Sequence, residues 1–94
     1  MAEIDVQVNE RSDSYQCTVT VEEGRSSTRH NVTVDKEDFE RLTGGDTTLE
    51  ALVRASFEFL LERESKESIL RSFDLMTINR YFPEYEGQIQ QRLS

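Results

Sequence analysis

Little in this chain can do covalent chemistry on its own, because it holds one cysteine and one histidine. The lone thiol, Cys17, excludes an intramolecular disulfide, a CxxC redox pair and the thiolate set of a structural metal. No apolar run approaches the roughly 18 residues of a membrane span. The start, MAEIDVQVNE, is acidic and alternating, without the basic and apolar regions of a signal peptide. The expected location is therefore the cytoplasm. Basic residues are also scarce: 11 Lys and Arg against 19 Asp and Glu leave a net charge of −8. Such a surface repels phosphate backbones and anionic lipid. The cations are interspersed with acids, Arg54 near Glu50 and Glu58 and Arg63 between Glu62 and Glu64, so no basic stripe makes a local exception. Nucleic acid and membrane are thus disfavoured as partners.

What is present is an α+β pattern expected to form one domain, 1–94. Three segments alternate apolar and polar residues as half-buried strands do, at about 3–9, 15–22 and 28–34. Ile4, Val6 and Val8 share one face of the first, Tyr15, Cys17, Val19 and Val21 of the second, and His30, Val32 and Val34 of the third. Matching the buried faces of the second and third strands requires an odd sum of paired residue numbers. Val21 opposite His30 meets that condition, leaving Gly24 to Ser27 as the loop and setting Glu22 against Arg29. The neighbouring choice sets Glu22 against Ser27.

Helical grammar then takes over, with helices expected at about 36–43, 48–64, 66–72, 75–82 and 84–93. Asp35 is an N-cap with Val34 and Phe39 as a hydrophobic staple, and Gly44 is a stop. Thr47 and Glu50 form a capping box ahead of Leu49, Leu52, Val53, Phe57, Leu60 and Leu61 at helical spacing. That stripe fails at Glu64 to Ser68, where Ser65 can cap a short helix carrying Ile69, Leu70 and Phe73. Asp74 can cap the next, with Phe73 stapled to Ile78, and Pro83 suits the first position of the last. A fourth strand through DLMTINRYF fits less well, since Leu75 and Met76 are adjacent. The architecture expected is a three-stranded antiparallel meander with the C-terminal helices packed on one face.

Candidate chemistry meets simpler explanations at each position. In the expected register His30 lies four residues along the strand from Cys17, about 13 Å away and beyond the reach of a nucleophilic pair. The acids Asp35, Glu37, Asp38 and Glu40 suit a helix N-terminus, and the calcium-loop pattern is absent. TGGD at Thr43 to Asp46 follows a helix and has no lysine at the spacing a phosphate loop needs. No catalytic, cofactor-binding or metal-ligating residue is assigned, and no cofactor is implied.

The segment from Phe57 to Ile89, FEFLLERESKESILRSFDLMTINRYFPEYEGQI, resembles the C-terminal signature of a family of short prokaryotic proteins, with ILRSFDL and YFPEYE as its marks. That resemblance implies no activity. At the level of fold, three strands followed by a helix are also similar to the start of HicB-type antitoxins. The chain departs from these in lacking their glycine–cysteine turn and any following DNA-binding segment.

The function read from the residues is a small acidic, non-enzymatic interaction module that meets a protein partner or a second copy of itself. Arg80, Tyr81, Glu84 and Tyr85 are the candidate contact residues, since aromatic and Arg side chains dominate interface hot spots. An antitoxin-like or inhibitor protein that neutralises a basic partner is the alternative, with a small enzyme as a third reading.

Overall fold

Residues 2–93 are described by a computed structural model. They form strands β1 (Glu3–Glu10), β2 (Ser14–Glu23) and β3 (Ser26–Asp35), helices α1 (Lys36–Thr43) and α2 (Leu49–Leu61), strand β4 (Ser72–Asp74), and helices α3 (Thr77–Tyr81) and α4 (Tyr85–Leu93). The class is α+β, as the run of strands before helices implies. The sheet differs from the three-stranded antiparallel meander expected. It has four strands in the order β1-β2-β3-β4, the last parallel to its neighbour.

The period-2 patterns place the faces as expected. Ile4, Val6, Cys17, Val19, Val21, Val32 and Val34 are all buried beneath the helices. The register of the second hairpin does not follow the sequence reading. Val19, not Val21, stands opposite His30, and Glu22 faces Ser27, the pairing that had been set aside. Both registers have odd sums and bury the same faces, so turn geometry decides between them. Glu23 pairs with Ser26 across a loop of only Gly24 and Arg25. Gly24, with φ 63°, supplies the positive φ that a two-residue hairpin demands at its first position.

Local capping sets the helices. Asp35 accepts a hydrogen bond from the Glu37 N–H at 3.0 Å, and Gly44, left-handed at φ 65°, closes α1. At α2 the cap is Thr48 and not Thr47: its hydroxyl accepts from the Ala51 N–H at 3.1 Å. α2 is apolar on two sides because it is covered on two sides. Phe57 points to the sheet, its ring 5.3 Å from the His30 imidazole. Phe59, outside the expected stripe, meets Tyr85 of α4 at 5.3 Å and Phe82 at 5.9 Å.

The expected helix at 66–72 is absent, and 62–71 forms turns instead. The turns are closed by main-chain bonds such as Ser68 N–H to the Ser65 carbonyl at 3.0 Å, and the segment's apolar residues are too few to give it a helical face. From these turns the chain enters β4 alongside β3, fixed by Asn31 N–H to the Arg71 carbonyl at 2.7 Å and Leu75 N–H to the Thr33 carbonyl at 2.9 Å. Asp74 ends this strand instead of capping a helix at 75; its carboxylate accepts the Met76 N–H at 3.0 Å. α3 accordingly begins at Thr77.

Candidate functional site

The turns after α2, strand β4 and helix α3 enclose a groove. Leu60, Ile69, Leu70, Phe73, Ile78, Tyr81 and Phe82 line it, with Glu64, Ser68 and Thr77 as its polar groups and about 240 Å³ of space between them. Each wall has a local cause. Ile69 and Ile78 are buried anchors, so the chain either side of them is held down while its other side chains stay free. Phe82, the residue before Pro83, is held out of the helical region at ψ 87°, since a following proline disfavours it there, and its ring meets Phe59 of α2.

His30 holds the rim. It is fully buried, and its Nδ1 lies 2.7 Å from the Leu70 carbonyl while Nε2 lies 2.8 Å from the Thr28 hydroxyl. A carbonyl can only accept, so Nδ1 carries the hydrogen and Nε2 accepts from Thr28. Burial lowers the imidazole's pKa from its usual 6.5, the Leu70 bond opposing and Arg71 reinforcing, so the ring is neutral at pH 7. Both nitrogens are thereby engaged in structure. Cys17 stands opposite Val32, two strand positions from the His30–Val19 pair, and burial pushes its thiol up to about 11. This is an inert packing thiol.

The four candidate contact residues fall in different places. Tyr81 lines the groove and is 67% exposed. Arg80 is exposed on α3 but is not part of the lining, and among the described residues no acid pairs with it. Glu84 is exposed and accepts from Arg63 Nε at 3.3 Å, while the Arg63 guanidinium lies 3.6 Å over the Phe59 ring. Tyr85 is corrected: it is wholly buried, not a surface contact. Its hydroxyl lies 2.6 Å from Ser56 Oγ, which itself donates to the Leu52 carbonyl at 2.8 Å, so Tyr85 is the donor between them. Burial raises its pKa well above the usual 10.

Two groove residues escaped the sequence reading. Leu70 is 48% exposed although its carbonyl is locked to His30. Glu64 is half-buried, and burial with no cation beside it raises its pKa above the usual carboxylate value. The failure of the apolar stripe at Glu64 was the available signal, but it marked a bend and gave no hint of what the bend encloses. Chemically, the groove can hold an apolar side chain with a cation at Glu64. Ser68, its one hydroxyl near that carboxylate in sequence, is engaged with Ser65 Oγ at 3.1 Å.

Among the described residues no three His, Cys, Asp or Glu side chains gather as a metal site requires, and no helix is long and apolar enough to cross a membrane. No protein-family model matches this chain, and no curated protein or solved structure does.

Proposed function

We propose that the protein is a small binding module whose groove takes one apolar side chain of a partner protein, with a neighbouring Lys or Arg of that partner against Glu64. One observation carries this reading. Among the described residues the large apolar side chains left exposed are Val8, Leu70 and Tyr81, and two of these three line the same groove. Apolar patches kept at a concave surface mark contact sites, whereas scattered ones need no explanation. The volume narrows the occupant. About 240 Å³ falls below the roughly 300–1,000 Å³ of cofactor and drug-sized sites, so a side-chain anchor fits and a whole nucleotide or flavin does not. The net charge of −8 favours a basic partner and speeds encounter with it.

The test is amide-shift mapping on the full chain with short peptides that pair Leu or Phe with Lys or Arg. Shifts at Glu64, Leu70, Thr77 and Tyr81 that vanish in Tyr81→Ala, with thermal stability kept, support the reading. Binding that maps elsewhere, or that survives Leu70→Ser with Tyr81→Ala, overturns it. Glu64→Gln should weaken basic peptides by roughly tenfold and leave uncharged ones unchanged.

A further inference from the structure

The free edge of the sheet is a second contact surface, independent of the groove. In antiparallel strands the main-chain groups of alternate residues point to opposite neighbours. Arg11 N–H bonds the Ser14 carbonyl at 2.8 Å. That bond marks Arg11 and Ser14 as a hydrogen-bonded pair, so Asn9, Gln7, Asp5 and Glu3 are the β1 residues that bond β2. Ile4, Val6, Val8 and Glu10 then turn their N–H and C=O groups outward, where no strand lies. The structure bears this out at one of them: Arg54 Nη1 donates to the Ile4 carbonyl. Arg54 closes that end of the edge and leaves Val6 to Glu10 open. The middle of the open stretch is Val8, at 37% exposure the one large exposed apolar residue outside the groove among the described residues.

We propose that a second copy of this chain pairs antiparallel on that edge, β1 against β1, about a two-fold axis at Val8. The register is self-complementary. Val8 meets Val8, Gln7 meets Asn9, Val6 meets Glu10 and Asp5 meets Arg11, so no two acids of β1 itself stand opposite each other. Glu10 retains its ion pair with Lys36 at 2.6 Å. Registers centred nearer the N-terminus, and odd ones, fail on the same facts. Centring on Val6 or on Gln7 needs the Ile4 carbonyl that Arg54 holds, and a shift to an odd sum puts Glu3 against Glu10 or turns the buried face outward. A strip this short buries less than the roughly 1,200 Å² of a tight interface, which sets the association in the micromolar to millimolar range.

Sedimentation equilibrium of the full chain from about 20 µM to about 1 mM, at roughly 0.05 and 0.5 M salt, tests the proposal. The expected result is a mass that rises toward twice the monomer. The dimer should be favoured by high salt, because each copy carries −8. Amide exchange at Val6, Val8 and Glu10 should slow as concentration rises. The Val8 N–H serves no bond within the fold, so Val8→Pro should keep the thermal midpoint and weaken association at least about tenfold. Should that variant not fold, Val8→Glu, which opposes two carboxylates across the axis, gives the same readout. A monomer at about 1 mM in high salt overturns the proposal. So does a dimer that either folded variant leaves intact, or slowed exchange confined to other amides.

Discussion

The two edges of the sheet have opposite fates. At β3 the edge is covered by β4, three residues brought back from the far side of α1 and α2. At β1 the edge is blunted by a single guanidinium at Ile4 and otherwise stands open. Exposed edges template unwanted pairing, and proteins usually cover them, shorten them or charge them. Here the covered edge required a long excursion, and the groove is what that excursion encloses. The open edge required nothing further and kept a surface for a second strand. One sheet thus meets the same problem in two ways, and each solution leaves a different kind of surface.

Four perturbations probe the covered edge and the core behind it. The largest effect should come from His30→Ala, which empties a fully buried site beside Phe57 and orphans the Leu70 carbonyl and the Thr28 hydroxyl. A loss of about 3 kcal/mol in urea unfolding is expected, with exchange protection of the Asn31 and Leu75 amides lost first. Acid should act on the same edge. His30 has a lower pKa folded than its usual 6.5, so protons bind the unfolded chain more readily. Stability is full above that value and should fall as pH drops below it, toward the depressed folded pKa. A His30→Gln chain measured in parallel should lack that part of the decline.

Tyr85→Phe should cost about 1 kcal/mol of stability and leave peptide capture by the groove unchanged, since the hydroxyl bonds Ser56 inside the core. Loss of capture without loss of stability would return Tyr85 to the surface. Asp74→Ala, at the end of β4, should cost about 0.5–1 kcal/mol by thermal melting, because it frees only the Met76 N–H.

The sequence was most informative where structure is local. Alternation placed Val6, Val19 and Val32 on one face, and the short polar side chain of Asp35 marked the start of α1. It was silent where partners are remote. β4 is too short to show a period, and what makes it a strand is Asn31 and Thr33, some forty positions earlier. Tyr85 looked like recognition chemistry because its partner, Ser56, is 29 residues away and, being a serine, was not counted in the apolar stripe of α2. The hairpin register failed for another reason. Two odd sums satisfied the faces equally, and the cross-strand pairs weighed at Glu22 are worth less than the fit of Gly24 to a two-residue turn. The groove itself is a product of tertiary closure, so only Tyr81 among its exposed residues was within reach of the sequence reading.

The hydrogen bond from His30 to Leu70 spans 40 positions of chain, whereas the hairpins on either side of β2 close loops of two residues. Closing the longer span costs more chain entropy, so the hairpins can form early and β4 docks late. Substitutions at Leu70 or Phe73 should therefore speed unfolding and hardly slow folding. The segment that walls the groove should be the last to assemble and the first to release, and a partner seated there would act as a clasp on the folded state.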